Sequence, residues 1–328
     1  MTGDRAAAVR RMYHAVRGRR TRRVPATITN PLSTADAVAP DALHRSGTGT
    51  PLLLLHGLTA SWRVWRGLLP LLEPFHEVMV PTLAGHAGGP SVTAAPHRLV
   101  ESIVDSVCRQ LDEAGLATVH VVGNSFGGWV ALELARRGRA RSVVALSPAG
   151  AWRSVRDVES LARRFRLGSL VASLPVVRRL AAVGRIRRVL FRGLAEHGER
   201  LSRTEADEVF DDMAGCVVVA DLFAGARQNG PLAPIPAPGC PVRIAWAEKD
   251  RVLPFPRYGL PMLAAVPGAD FSLMPAVGHV PMHDDPELVA RTILEFTIRV
   301  DGGDVDAARR LWPRPDDPAP VPPSEENQ

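Results

Sequence analysis

A serine flanked by glycines stands where an apolar run meets a helical pattern. The pentapeptide Gly-Asn-Ser-Phe-Gly occupies residues 123–127, directly after the largely apolar run at 119–122 and before helical spacing from Gly128 onward. A turn that leads from a strand straight into a helix is so sharp that the residues two before and two after its serine must lack side chains. Such a turn would lift the Ser125 hydroxyl out of the sheet and point the Phe126 amide at the same space. One interpretation is a turn that presents a reactive serine. The other is a glycine-rich turn whose serine only caps the helix.

The chain around this turn alternates between short apolar runs and helical patterns. Strand-like runs occupy residues 51–55, 78–83, 118–122, 141–146, 242–247 and 271–274. Helical spacing occupies residues 62–72, 99–116, 126–137, 258–265 and 287–299. The run at 51–55 is apolar at successive positions, as in a strand buried on both faces of a parallel sheet. We therefore predict an α/β fold, a mostly parallel central sheet flanked by helices, in a chain whose composition is that of a globular protein.

Composition divides the chain into several segments. We assign residues 31–150 and 239–300 to an α/β core. Residues 151–238 interrupt the alternation, are rich in arginine and helix formers, and end in a proline-dense stretch, so we interpret them as an inserted helical cap. Residues 1–30 resemble a basic N-terminal extension. Residues 301–328 are rich in proline and acidic residues, and we predict that they are disordered.

Arginine is unevenly distributed along the chain. The formal net charge is +6, yet residues 1–24 hold eight arginines against one aspartate, and residues 151–204 hold thirteen against four acidic residues. No aromatic interleaving and no DNA- or RNA-binding motif accompany these arginines, so we expect no nucleic-acid partner. Weak peripheral contact with an anionic membrane surface is left open, beside the simpler interpretation of a solvated charged face.

Cysteine usage and hydropathy exclude several classes of protein. Cys108, Cys216 and Cys240 are too few and too scattered for a disulfide framework, and no Cys/His spacing suggests zinc, so we predict neither a metal nor a cofactor. The apolar runs fall far short of the roughly 18 residues that a membrane-spanning helix needs. The arginine-rich first residues lack the apolar stretch of a secretory signal, so the expected location is the cytoplasm.

The strand, the Gly-x-Ser-x-Gly turn and the helix together resemble the α/β-hydrolase fold family, and the resemblance covers roughly residues 50–300. It implies that Ser125 is a nucleophile. His56-Gly57-Leu58, directly after the run at 51–55, resembles the oxyanion loop of that family. The resemblance implies that the backbone amides of Leu58 and Phe126 bind the oxyanion, whereas we interpret the His56 side chain as structural.

A serine hydroxyl at neutral pH needs a base, and the base needs a carboxylate to hold it. In the family the order along the chain is serine, then acid, then histidine. Residues 247–254 read Ala-Glu-Lys-Asp-Arg-Val-Leu-Pro, which resembles the signature Gly-x-x-Asp-x-x-x-Pro with alanine in place of glycine. The resemblance implies Asp250 as the acid. Glu248 is its competitor, because residues two apart on a strand point to the same side.

The base is sought in residues 277–286, Val-Gly-His-Val-Pro-Met-His-Asp-Asp-Pro, which resemble the Gly-His loop that precedes the last helix in this family. The resemblance implies His279 as the base. His279 follows Asp250 by 29 residues, which leaves room for one helix and one strand between them. His283 is the nearest rival, and we interpret it as a structural residue or a residue at the rim of the pocket.

Two positions bear on which reaction the resemblance implies: the loop at 82–87 and the nucleophile position 125. The family's Asp-x-x-Gly-x-Gly loop is altered here, with Thr82 at the aspartate position and Ala87 at the second glycine, so no substrate of a subfamily transfers directly. Serine, and not aspartate, stands at the nucleophile position 125. The haloalkane dehalogenase and epoxide hydrolase branches form an ester on a carboxylate, and they are therefore disfavoured.

These residues predict a serine hydrolase that cleaves a carboxylic ester through an acyl-enzyme, with a small-molecule acyl substrate as its partner. Gly-Asn-Ser-Phe-Gly-Gly at 123–128 also resembles the subfamily that hydrolyses carbon–carbon bonds of ring-cleavage products. That reaction is the enzymatic alternative. A catalytically silent member of the family that binds a ligand is the third hypothesis.

Overall fold

The computed structural model describes residues 43–311. Its strands are β1 (His44–Ser46), β2 (Thr50–Leu55), β3 (His76–Val80), β4 (Val119–Asn124), β5 (Ala140–Leu146), β6 (Val242–Ala247) and β7 (Asp270–Met274). Its α-helices are α1 (Leu69–Leu72), α2 (Leu99–Glu113), α3 (Phe126–Arg136), α4 (Val155–Ala172), α5 (Pro175–Leu180), α6 (Gly184–Leu190), α7 (Arg203–Gly215), α8 (Val219–Asn229), α9 (Phe255–Ala265), α10 (Pro286–Val300) and α11 (Val305–Leu311). Short 3₁₀ segments lie at Trp62–Leu68, Pro96–Arg98, Gly198–Arg200 and Pro281–His283. The predicted basic extension at 1–30 lies outside the described residues.

The seven strands form one sheet in the order β1-β3-β2-β4-β5-β6-β7. β1 pairs with β3 in the antiparallel sense, and every other pair in this sheet is parallel. β4, which ends at the predicted turn, lies between β2 and β5 in the middle of the sheet. Helices cover both faces, so the predicted α/β fold class is confirmed.

β2 shows why the sheet needs cover on both faces. Its residues Leu52 to Leu55 are all fully buried. Leu53 and Leu55 pack with α2, α3 and α9 on one face, whereas Leu52 and Leu54 pack with α1 and α10 on the other. Alternate residues of a strand point to opposite faces, so a run of four leucines is stable only between two apolar layers.

Two elements and one additional strand differ most clearly from the sequence-based expectation. The strand predicted at 78–83 is β3, which ends at Val80, because Pro81 has no N–H for the ladder. The segment 62–72 is a 3₁₀ turn followed by α1 and not one helix, and Pro70 lies in the first turn of α1, where a missing N–H costs nothing. β1 is a three-residue edge strand, too short to show a period in the sequence.

A helical insertion, α4 to α8, separates β5 from β6. α4 packs against α8, where the rings of Phe165 and Phe223 lie 5.5 Å apart. Within residues 43–311 we find no helix with the length and apolarity to cross a bilayer.

Part of the segment that we predicted to be disordered, Val305–Leu311, forms the helix α11. The Asp304 carboxylate accepts a hydrogen bond from the Asp306 amide and so stabilises the start of this helix. Arg309 donates to Asp306 on the same helix and to Glu295 on α10, which ties α11 to the core. The proline- and acid-rich composition that suggested disorder belongs mainly to residues 312–328, which lie outside the described residues.

Candidate active site

The turn at Ser125 has the geometry that its sequence predicted. Ser125 joins β4 to α3 with φ 54° and ψ −115°, a strained backbone conformation. A Cβ atom at Gly123 would lie 2.1 Å from the carbonyl oxygen of Gly127, and one at Gly127 would lie 2.2 Å from that of Leu55. Both positions therefore require glycine. The Ser125 side chain makes no capping hydrogen bond to α3, so the simpler interpretation of this serine as a helix cap finds no support.

Asn124 ties this turn to the loop that carries His279. Its side-chain Nδ2 donates to the carbonyl oxygen of Leu146 at 3.2 Å and to that of His279 at 2.9 Å. The side chain is fully buried, so both bonds are shielded from water. Sequence reasoning did not single out this residue, because the second position of Gly-x-Ser-x-Gly carries no signal of a contact 155 residues away.

Asp250 and His279 meet directly. Oδ2 of Asp250 lies 2.7 Å from Nδ1 of His279, and both side chains are almost fully buried. The other oxygen, Oδ1, accepts hydrogen bonds from the amides of Val252 at 2.9 Å and Leu253 at 2.7 Å. These two bonds set the orientation of the carboxylate. With Nδ1 bonded to Asp250, Nε2 is the imidazole nitrogen that remains for proton transfer.

Glu248, the competitor for the role of acid, is engaged elsewhere. Its Oε2 accepts a hydrogen bond from the amide of Ala276 at 2.9 Å, and its Oε1 pairs with Nζ of Lys249 at 2.7 Å. Ala276 has a positive φ of 60°, so the buried carboxylate supports a strained point of the loop after β7. Of the two acidic residues, Asp250 is the one that contacts His279.

The loop after β2 runs directly beside Ser125. A Cβ atom at Gly57 would lie 3.3 Å from the Ser125 Cβ, which places the backbone of this loop next to the serine. Phe126 is the first residue of α3, where a helix leaves its N–H groups without intrahelical acceptors. Within the described part of the chain, neither the Leu58 amide nor the Phe126 amide donates a hydrogen bond. Neither amide is therefore engaged by another part of the described chain, and their role as oxyanion donors stays a prediction.

Two buried histidines support this loop. Nδ1 of His56 lies 2.8 Å from the Gly57 carbonyl oxygen, and Nε2 accepts from the Leu83 amide at 2.9 Å. The ring of His86 lies 4.9 Å from that of His56 and stacks on Phe126. Burial holds the pKa of His56 well below its usual value and lowers the pKa of His86 to about 4. Both are neutral at neutral pH and serve as supports, as the sequence suggested for His56.

In the loop at 82–87, the two residues that differ from the family's pattern, Thr82 and Ala87, contact neighbouring elements. Thr82 accepts a hydrogen bond from the Trp62 amide at 3.3 Å, and its side chain is buried. Ala87 packs against Gly215 at the end of α7, where a Cβ atom would lie 2.6 Å from that of Ala87. The loop thus touches the helical insertion.

Ser125 and Leu58 line two cavities. The larger one measures about 460 Å³ and also contains His279, with the charged residues Arg63, Arg66, Glu208 and Asp212 in its wall. The smaller one measures about 50 Å³ and is apolar and aromatic. Its wall includes Phe126, Trp129, Trp152, Phe165, Phe223 and Tyr258. The serine therefore faces one roomy charged space and one small apolar space.

Buried ion pairs connect the wall of the larger cavity to the insertion. Arg63 pairs with Asp212, and Arg66 pairs with Glu208. Both arginines lie in the 3₁₀ segment Trp62–Leu68, and both carboxylates lie in α7. Ser61 donates to the other oxygen of Asp212 at 2.7 Å. Burial raises the pKa of Asp212, against the opposing effect of Ser61 and Arg63. Truncation of one member of such a buried pair would leave an uncompensated charge, which is strongly destabilising.

His283, the rival of His279, lines the same larger cavity and is half-buried. Burial lowers its pKa, while the neighbouring carboxylates of Glu205 and Asp284 oppose that shift. It lies in the 3₁₀ segment beyond His279, away from the Asp250 hydrogen bond. Its position agrees with the expectation of a residue at the pocket.

Asp284 holds the His279 loop and the insertion together, and sequence reasoning missed it. Oδ2 accepts from the amides of Gly278 at 2.7 Å and Glu196 at 2.9 Å, and Oδ1 accepts from that of His197 at 2.7 Å. The residue is buried. An aspartate between histidine and helix carries no sequence signal for partners nearly 90 residues away.

Asp284→Asn is expected to lower the free energy of unfolding by about 1–3 kcal/mol. The side-chain NH₂ of asparagine would replace one of the two accepting oxygens, and the backbone N–H groups that face it would lose their acceptor. Urea unfolding of the two proteins measures the difference. Asp211→Asn is the matched control, since Asp211 is well exposed and, among residues 43–311, its carboxylate pairs with Arg178 alone. Equal stabilities of the two variants would contradict the role of Asp284.

Comparison with known proteins agrees with this fold. The model of the alpha/beta hydrolase family matches residues 52–292. This chain belongs to the α/β-hydrolase family. The predicted family is confirmed, and the protein is an α/β-family hydrolase. The catalytic roles of Ser125, Asp250, His279 and the two oxyanion amides stay predictions.

The relatives of this α/β hydrolase differ in activity. An epoxide hydrolase, EphH, of Mycobacterium tuberculosis is 33% identical over 207 residues, which cover 59% of this chain and 92% of that protein. A 2-hydroxy-6-oxo-2,4-heptadienoate hydrolase of Pseudomonas putida is 35% identical over 116 residues, 33% of this chain and 41% of that protein. A solved esterase from Thermogutta terrifontis has a TM-score of 0.60 at 24% identity, with 79% of this chain and 93% of that chain covered. That likeness shows the fold alone.

Proposed function

We propose that this hydrolase cleaves carboxylic esters through an acyl-enzyme on Ser125. The observation that carries the proposal is the buried hydrogen bond from His279 to Asp250, in a loop that lines the same cavity as Ser125. A serine becomes a nucleophile when an adjacent base accepts its proton and a carboxylate orients that base. The helical insertion acts as a cap, because its residues Phe165 and Glu208 line the cavities at the serine.

The reaction uses these groups in sequence. Nε2 of His279 accepts the Ser125 proton as Oγ attacks the ester carbonyl carbon, and Asp250 stabilises the imidazolium that results. The amides of Leu58 and Phe126 donate to the oxyanion of the tetrahedral intermediate. His279 then protonates the leaving alcohol. Water attacks the acyl-enzyme by the same route and releases the acid.

The two cavities support a placement of the two sides of the ester. The leaving alcohol must receive its proton from His279, and His279 lines the larger cavity and not the smaller one. The alcohol side therefore occupies the larger cavity, and the acyl side occupies the apolar pocket beside Phe126. One water-sized group needs about 10–15 Å³ of such space, so a pocket of about 50 Å³ holds roughly three to five heavy atoms. The acyl group is short and apolar.

Carbon–carbon bond hydrolysis is the second candidate. The resemblance of residues 123–128 favours it, as does the relative named for a hydroxy-oxo-heptadienoate. Epoxide hydrolysis is a weaker candidate despite the likeness to EphH. Ring opening by the Ser125 hydroxyl would form an ether, which water cannot cleave in the way that it cleaves an acyl-enzyme.

Steady-state kinetics on three esters and one diketone test the proposal. We expect p-nitrophenyl acetate and butyrate to be hydrolysed with a kcat/KM about tenfold or more above that for p-nitrophenyl dodecanoate, because a few methylenes that do not fit a pocket cost about that much or more. A vinylogous 1,5-diketone acid is the comparison substrate. Faster cleavage of the diketone would favour the carbon–carbon hydrolase, and no turnover of any substrate would favour a silent ligand-binding protein.

A further inference from the structure

The outer surface of α4, α5 and α6 exposes large apolar side chains. Each is between 44% and 72% exposed: Leu167, Leu170, Leu174, Val176, Leu180, Val183 and Val189. We call these residues, with the arginines among them, the basic apolar face. Single exposed leucines are ordinary on a protein surface, but a cluster of seven within 23 residues of chain marks an interaction site.

The stretch of chain that holds these apolar residues also carries an excess of positive charge. Residues 160–195 contain nine arginines and no acidic residue. Two of them reach acidic residues outside this stretch, Arg178 to Asp211 and Arg188 to Glu199. In the region from residue 43 to 311, five others form no side-chain hydrogen bond or ion pair: Arg163, Arg166, Arg179, Arg185 and Arg192.

The apolar residues of this face are not the packed side of their helix. In α4, Val158, Leu161 and Phe165 line the small pocket beside Ser125. Leu167 follows Phe165 by two residues, which is about 200° around the helix axis. Leu167 is 61% exposed and Leu170 is 62% exposed. α4 therefore has two apolar sides, and only one of them is used by the fold.

We propose that the basic apolar face docks on an anionic lipid bilayer. A bilayer of this kind offers negative headgroups for the arginines and, a few ångströms deeper, acyl chains for the leucines and valines. A nucleic acid would match the charge but would leave the apolar side chains in water. The arginine-rich residues 1–24 are repelled by a surface of their own sign. Docking would place the cap at the membrane surface. This proposal does not depend on which reaction occurs at Ser125.

Co-sedimentation of the full chain with vesicles tests this proposal. The vesicles are phosphatidylcholine alone or an equal mixture of phosphatidylcholine and phosphatidylglycerol. We expect binding to the anionic vesicles at low salt, and affinity lower by about tenfold or more at 1 M salt, because the Debye length shortens from about 10 Å at 0.1 M to about 3 Å. Binding to both kinds of vesicle alike, or to neither, would overturn the proposal.

Two double variants separate the charged and apolar contributions. Arg163→Gln/Arg166→Gln removes charge, and Leu167→Ser/Leu170→Ser removes apolar contact. Each should weaken binding to anionic vesicles by about fivefold or more, since the first removes two positive charges that attract the headgroups and the second removes two apolar side chains that enter the acyl region. Arg109→Gln on α2 and Leu311→Ser on α11 are matched controls at exposed sites and should bind as the wild type does.

The remaining outcomes distinguish a lipid bilayer from another polyanion and from a second copy of this chain. Thermal unfolding of each variant verifies that it is folded. If only the arginine variant loses affinity, the surface is an electrostatic one that suits any polyanion, and the proposal is overturned. Light scattering detects a dimer. A dimer that Leu167→Ser/Leu170→Ser dissociates, without vesicle binding by the wild type, would assign the face to a second copy of this chain and would also overturn the proposal.

Discussion

Ser125→Ala is expected to lower kcat for ester hydrolysis by about 10⁴- to 10⁶-fold, as loss of the nucleophile does in serine hydrolases. The substitution removes one oxygen and keeps Cβ, so the strained φ of 54° is as acceptable to alanine as to serine. The Ser125 side chain makes no capping hydrogen bond to α3 that would be lost. The protein should therefore remain folded and inactive.

Hydrolysis of p-nitrophenyl acetate and labelling by a fluorophosphonate probe measure this loss, and thermal unfolding measures the fold. Ser173→Ala is the matched control, because Ser173 is an exposed serine at the end of α4. The control should be labelled and active. Activity of Ser125→Ala within about tenfold of the wild type would disprove its role as nucleophile.

Asp250→Asn is expected to lower kcat by about 10⁴-fold, through the tautomer of His279. The backbone amides of Val252 and Leu253 require an acceptor at Oδ1, so the new amide NH₂ would face Nδ1 of His279. An NH₂ group donates, so Nδ1 would have to accept. The imidazole proton would then reside on Nε2, where the base must be free.

Glu248→Gln is the control for Asp250→Asn, because Glu248 is the other candidate for the catalytic acid. Glu248 contacts Ala276 and Lys249 and not His279, so its variant should keep most of the activity and lose stability instead. Parallel kinetics and urea unfolding of the two variants separate the roles. A larger loss of kcat in Glu248→Gln than in Asp250→Asn would reverse the assignment of the acid.

Much of the fold was predictable because its signals are local. The leucines of β2 are apolar at successive positions, and only a strand covered on both faces uses such a run. Gly123 and Gly127 are required by contacts within the turn itself and with the neighbouring β2. β1 escaped prediction because three residues show no period, and its pairing with β3 is a property of the sheet. α11 escaped because its support comes from Glu295 on another helix.

The sequence by itself determined the α/β fold and the turn at Ser125, because each follows from steric rules and patterns that span a few residues. The order of the candidate acid and base came from the resemblance to the α/β-hydrolase family. Only the tertiary structure decided which acidic residue reaches His279, since Asp250 and Glu248 are two positions apart and their partners lie on distant loops. It also decided that Asn124 and Asp284 bind the His279 loop. Hydrogen bonds are short and directional, so a bond between residues far apart in the chain exists only once packing has brought its two atoms within about 3 Å.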